Sequence, residues 1–101
     1  MKYETISTIG RRTQEHTVRV QVTDVDDVPK NWNGTILYAP EVVTLRWTRY
    51  GDDAWGRPIV NIQGRRRLKS GALGAAVQDR YPRSPIVKAW IEEIAAEVGP
   101  R

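Results

Sequence analysis

The chain has no cysteine, which excludes disulfide frameworks and thiolate metal sites. It has one histidine, His16, so a conventional zinc site lacks ligands. No apolar run approaches the roughly 18 residues that span a bilayer. The first residues, Met1-Lys2-Tyr3-Glu4-Thr5, contain no apolar segment of the secretory kind. The expectation is therefore a cytoplasmic protein without a membrane partner. There is no internal repeat and no low-complexity tract, and 101 residues suffice for one domain with a modest core.

Hydrophobic residues at 40% and charged residues at 28% are ordinary for a folded soluble domain. The net charge of +4 is unevenly spread. Residues 1–41 and 84–101 each sum to −1, whereas residues 42–83 hold nine cations and three anions, a net +6. A basic middle segment favours a polyanionic or acidic partner, and the competing reading is a solvated charged face.

Periodicity places the elements. "HTVRVQVTDV" alternates, with Val18, Val20 and Val22 on one face, and predicts a half-buried strand. "YETISTI" before it suits a strand joined by a "GRRTQE" loop, although Tyr3, Ile6 and Ile9 also fit a helical spacing. Asn33-Gly34 predicts a tight hairpin, followed by a short strand "TILYA" that Pro40 ends. "EVVTLRWTRY" is the strongest strand, with Val43, Leu45 and Trp47 facing inward. "GDDAWG" turns the chain and "RPIVNIQ" returns it, with Val60 and Ile62 inward and Pro58 at a strand start. Gln63-Gly64 resembles another hairpin turn. Ser84 is a good N-cap, Pro85 suits the first helical position, and Val87, Ile91, Ile94 and Val98 form one apolar stripe. Gly99-Pro100 closes that helix. The fold class is α+β: an antiparallel sheet of four to five strands packed against one C-terminal helix.

Catalytic patterns are poor, and neither a catalytic residue nor a cofactor is expected. "DVDDVPKNWNGT" departs from the EF-hand template at its fifth, sixth and twelfth positions, Val28, Pro29 and Thr35. Asn33-Gly34-Thr35 matches a glycosylation sequon but reads as a turn. "LKSG" lacks the glycine that a phosphate-binding loop needs before Lys69, and Lys69-Ser70-Gly71 lacks the companion motifs of penicillin-binding enzymes. Asp52-Asp53 reads as a turn and Glu92-Glu93 as a solvated helix face. A metal-independent ribonuclease would draw on Arg65, Arg67, Tyr81 and His16, but no spacing selects them.

Binding patterns are better. If residues 65–69 are extended, Arg65, Arg67 and Lys69 point outward together and Leu68 points inward beside Arg66. Three cations at that pitch fit successive phosphates. Arg46, Arg49 and Arg57 extend the basic set, and Tyr50 or Trp55 supply stacking surfaces. Ser70-Gly71 is read as an anion-binding turn that opens a short helix through Leu73, Ala76 and Val77. The competing reading makes residues 65–69 an edge strand whose cations only prevent aggregation. Trp47 and Trp90 belong to the core, whereas Trp32 and Trp55 lie in turn-like contexts and are the candidate exposed contacts.

A Trp-containing strand, the box "GRRRLKSGALG" and a C-terminal helix with a Trp and a Gly-Pro end together resemble a set of short actinobacterial and actinophage proteins, over roughly residues 42–100. That set has no assigned activity and transfers no site residues. It implies a bacterial host cell, in line with twelve Arg against four Lys. The strand-then-helix order is also similar to AP2-like and integrase-arm DNA-binding domains, an analogy of fold alone. The leading expectation is a non-enzymatic module of phage or mobile-element origin that binds DNA or RNA. The alternative is a protein-interaction module that docks on an acidic partner or on itself through Trp55, Trp32 and a free sheet edge.

Overall fold

Alternating valines, a capped amphipathic stripe and two tight turns produce five strands and one helix in the computed structural model. It describes residues 2–10, 12–23, 38–68, 70, 72–80 and 84–100, and for Lys2, Tyr38 and Arg67 the backbone. The strands are β1 (Lys2–Ile9), β2 (Thr13–Gln21), β3 (Tyr38–Tyr50), β4 (Ile59–Arg67) and β5 (Leu73–Asp79), and the helix is α1 (Pro85–Val98). They form one antiparallel sheet in chain order, β1-β2-β3-β4-β5. The expected α+β class is therefore the observed one. α1 is the single helix among the described residues, and it is not long and apolar enough to cross a membrane.

The core follows the pleat. Val18 and Val20 of β2, Val43, Leu45 and Trp47 of β3 and Ile62 of β4 face Trp90, Ile91 and Ile94 of α1. Leu45, Ile62, Val18, Val20 and Val43 are fully buried, and each such side chain contributes about 1.5–3 kcal/mol. Ser84 is buried at the head of the helix, where its hydroxyl accepts from the Val87 amide at 3.5 Å. Gly51 supplies the positive φ of the turn after β3, closed by the Asp53 amide donating to the Tyr50 carbonyl at 3.0 Å.

Several expectations are corrected. The strand reading of "YETISTI" holds and its helical alternative does not, since β1 pairs continuously with β2 from Lys2 to Ile9. Pro40 does not end a strand but lies within β3, beyond the last β2 rung at Val42 and beside a bulge opposite β4. A missing N–H costs least at such a position. Gln63-Gly64 is not a turn. Gly64 is buried in the middle of β4, paired with Pro40 on one side and Val77 on the other. A Cβ there would stand 2.2 Å from the Ala39 carbonyl oxygen and 2.8 Å from the Pro40 Cα. Glycine is needed for this close approach, not for a turn. Residues 73–79 form β5 instead of a short helix. Gly74 weakens a helix there by about 1 kcal/mol, while β4 offers a backbone ladder from Ile62 to Arg67 that one register shift interrupts. The Asn33-Gly34 turn, Trp32 and the 24–35 acidic loop lie outside the described residues.

Gly64→Ala is expected to destabilise the fold by about 3 kcal/mol, because the obstructing atoms are backbone and cannot swing aside. A urea titration measures this. A loss below about 0.5 kcal/mol, the usual range for surface changes, would show that the β3 bulge can yield.

Candidate nucleic-acid interface

α1 has 14 residues and is about 21 Å long at 1.5 Å per residue. β4 has nine residues and spans about 30 Å, and β3 has 13 and spans about 43 Å. The strands therefore outrun the helix. Beyond Gly64 the covered face of the sheet becomes solvent: Arg65 and Arg66 are both exposed although they point to opposite faces, and Leu68 is 47% exposed. Leu68 is thus not pinned to the core. Its side chain lies over Gly74, where a Cβ would come within 3.3 Å of the Leu68 Cδ2. The strip beyond Gly64 continues into the β4–β5 hairpin, closed by the Leu68 amide donating to the Ala72 carbonyl at 3.0 Å.

The candidate cations fall into separate places. Arg65 lies on the uncovered face and pairs with Glu41, its Nε 3.1 Å from the carboxylate. Both partners are exposed, so the pair is worth at most about 1 kcal/mol and yields readily to another anion. Arg46 shares that face, exposed, between Thr17 of β2 and Ile59 of β4. Six positions along β4 separate Ile59 from Arg65, about 20 Å. Tyr50 is 63% exposed at the far end of β3, opposite Thr13. Arg57 is exposed in the loop that leads into β4. Arg67 has its backbone in β4, while Lys69 and Gly71 lie outside the described residues.

Arg49 and Trp55 form a different site. Arg49 points to the helix side of the sheet, donates to the Gln14 side-chain oxygen and stacks 5.0 Å from the centre of the Trp55 ring. Trp55 is half-buried against the core, not an exposed contact, with its ring 6.2 Å from that of His16. His16 in turn stands 5.7 Å from Trp47. The His16 Nε2 lies 3.4 Å from the carbonyl oxygen of Val98, at the end of α1, and its Nδ1 lies 3.3 Å from the Ser7 hydroxyl. One neutral tautomer satisfies both contacts, donating from Nε2 and accepting at Nδ1. This cluster locks the C-terminal end of α1 onto the sheet.

The ribonuclease set is not assembled. His16 pairs with Trp47 and Arg65 with Ala39, eight positions apart on β3 and so about 27 Å. Tyr81 lies outside the described residues. The short helix expected after Ser70-Gly71 does not form: Leu73, Ala76 and Val77, the residues expected in it, lie on β5. Ser70 remains in the hairpin turn, its hydroxyl 3.4 Å from the Ala72 amide, so it serves the turn itself. Arg66 is the exposed cation that strand alternation assigns to the interior. The relative lengths of α1 and β4 are the signal that finds it. The chain matches no family model, no curated protein and no solved structure.

Arg49→Ala is expected to lower stability by about 1 kcal/mol through loss of the Trp55 stack and the Gln14 contact, and to leave any nucleic-acid affinity unchanged. Paired urea and fluorescence-anisotropy titrations check both halves. Weaker binding with intact stability would return Arg49 to the interface.

Proposed function

We propose that the chain is a non-enzymatic nucleic-acid-binding module, of phage or mobile-element origin, that grips phosphates with its β4–β5 hairpin. One observation carries this reading. The hairpin segment 64–73 contains Arg65, Arg66, Arg67 and Lys69 and no carboxylate, on a part of the sheet that lies beyond the helix. Exposed cations on both faces of a two-stranded ribbon suit a groove walled by phosphates on either side. The Glu41–Arg65 pair is weak enough to exchange for a phosphate. Arg46 and Arg57 add a distributed positive field that steers a polyanion, and Arg49 and Trp55 keep their structural duty. Tyr50 lies 11 positions along β3 from Ala39, the partner of Arg65, about 37 Å away, and so does not stack at the hairpin.

Binding to a DNA duplex or an RNA single strand should fall steeply with salt. Four phosphate contacts give a slope of about −3 to −4 in log affinity against log salt. Arg65→Ala combined with Arg67→Ala should flatten that slope by about 2 and weaken binding to all sequences alike. Anisotropy titrations between low and physiological salt measure both. Absence of binding to either polymer at low salt, or an unchanged slope in the double variant, rejects the reading.

A further inference from the structure

The two edges of the sheet differ in kind. β5 meets β4 through a register shift between Arg65 and Arg67, next to a hairpin rich in cations, and such features blunt an edge. β1 has no register shift, and its cations, Lys2 and the Arg11-Arg12 pair before β2, only flank it in sequence. Its eight residues pair with β2 without a break, and among the described residues nothing pairs with its other side. From Tyr3 to Ile9 it carries no proline, no glycine and a single charge, Glu4. Three of the large exposed hydrophobic side chains of the described residues lie on it: Tyr3 at 51%, Ile6 at 50% and Ile9 at 75%.

We propose that β1 pairs with β1 of a second copy, antiparallel, about a two-fold axis at Ile6, to form a continuous ten-stranded sheet. The spacing of the apolar residues makes this register special. It sets Ile6 opposite Ile6 of the second copy, Tyr3 opposite Ile9, Thr5 opposite Ser7 and Glu4 opposite Thr8. Every exposed apolar side chain meets another, and no charge faces a like charge. Tyr3 against a β-branched Ile is a favourable cross-strand pair. The faces also agree. Tyr3 and Ile9 lie opposite Val20 and Gln14 on the helix side, and Ile6 lies opposite Thr17 on the uncovered side, so both helices end on one face of the joint sheet. Sliding by two residues sets Glu4 opposite Ile6 or Ile6 opposite Thr8, and sliding by four in one direction sets Glu4 opposite Glu4. Slides by an odd number turn the two helices to opposite faces. The occupant is a second copy because the strand is complementary to itself in this one register. An eight-residue edge is a small interface, below about 1,200 Å², so the dimer is concentration-dependent. The basic hairpin lies at the other edge of the sheet, so this pairing stands or falls independently of nucleic-acid binding.

The absence of cysteine makes the test clean. Paired Cα atoms in an antiparallel ladder lie about 4.5–5.5 Å apart, within the range a disulfide accepts. Under mild oxidation in high salt, Ile6→Cys should crosslink to a dimer at least tenfold faster than Asp52→Cys, placed in the exposed turn after β3. Glu4→Cys and Thr8→Cys should each stay uncrosslinked alone and form the disulfide-linked dimer when mixed. The unaltered chain should show a mass rising from one copy towards two in a sedimentation dilution series. Ile6→Lys, which sets two cations opposite one another, should hold it at one copy with an unchanged circular dichroism spectrum and melting temperature. A chain that stays monomeric at every concentration overturns the proposal. So does an Ile6→Cys rate equal to the control, or a crosslinking maximum at Thr5 or Ser7.

Discussion

The contact between α1 and the middle of the sheet governs what the remaining surface can do. Trp90, Ile91 and Ile94 reach Val18, Val20, Val43, Leu45 and Ile62, and the fully buried side chains are all on the strand side of that contact. A helix of about 21 Å covers only part of strands of 30 Å and more. The uncovered remainder is forced to be polar, charged or paired with something else. At the β4 end it is charged: Arg65 and Arg66 stand on opposite faces where the helix no longer reaches. At β1, outside the helix's width, it is apolar, with Tyr3 and Ile9 on the helix side yet exposed. Both candidate surfaces are consequences of one mismatch in length and width.

Gly64 joins the core to the hairpin. The bulge at Pro40 and Val42 brings the Ala39 carbonyl so close to β4 that no side chain fits between them. With that approach β4 continues past the core without losing its place beside β3, and Arg66 still pairs with Tyr38. As far as Arg67 the strand that enters the hairpin is therefore a continuation of the sheet. Arg65 and Arg66 are successive residues of β4 and so stand on opposite faces at strand pitch. The cluster of Arg49, Trp55, His16 and Trp47 at the opposite end fixes the tail of α1 through Val98. One end of the sheet is thus closed by aromatic packing and the other left open and basic.

The elements legible in the sequence are those whose signal is local. β3 alternates over its inner positions, and Ser84 followed by Pro85 marks the start of α1 as the structure has it. Gly64 was not legible as a strand residue, because its requirement comes from Ala39 and Pro40, some 25 positions earlier in the chain. β5 was not legible either. "LGAAVQD" has one β-branched residue and favours a helix by propensity, and the open side of β4 decides the outcome. Of the candidate site, the face of Arg46 followed from alternation with Val43, Leu45 and Trp47. The partners of Arg49 and Arg65 did not, since Trp55 and Glu41 reach them only through the turn after β3 and the bulge.

The two edges finally show why charge and hydrophobicity are segregated across this sheet. An antiparallel sheet that is not closed has two rows of unpaired backbone groups, and each must be protected or used. β5 is protected by irregular pairing and by the cations of the hairpin beside it, whose mutual repulsion opposes stacking of two such ends. That protection depends on charge, so it weakens wherever the cations are neutralised. β1 pairs regularly and has cations only at its ends, and its apolar residues recur at intervals of three about Ile6, on alternating faces. A merely solvated strand has no need of that arrangement, whereas a strand that meets its own copy satisfies both faces with it. The positive edge excludes self-association where the apolar edge invites it, and a two-fold pair closes the apolar edges while leaving both basic hairpins free.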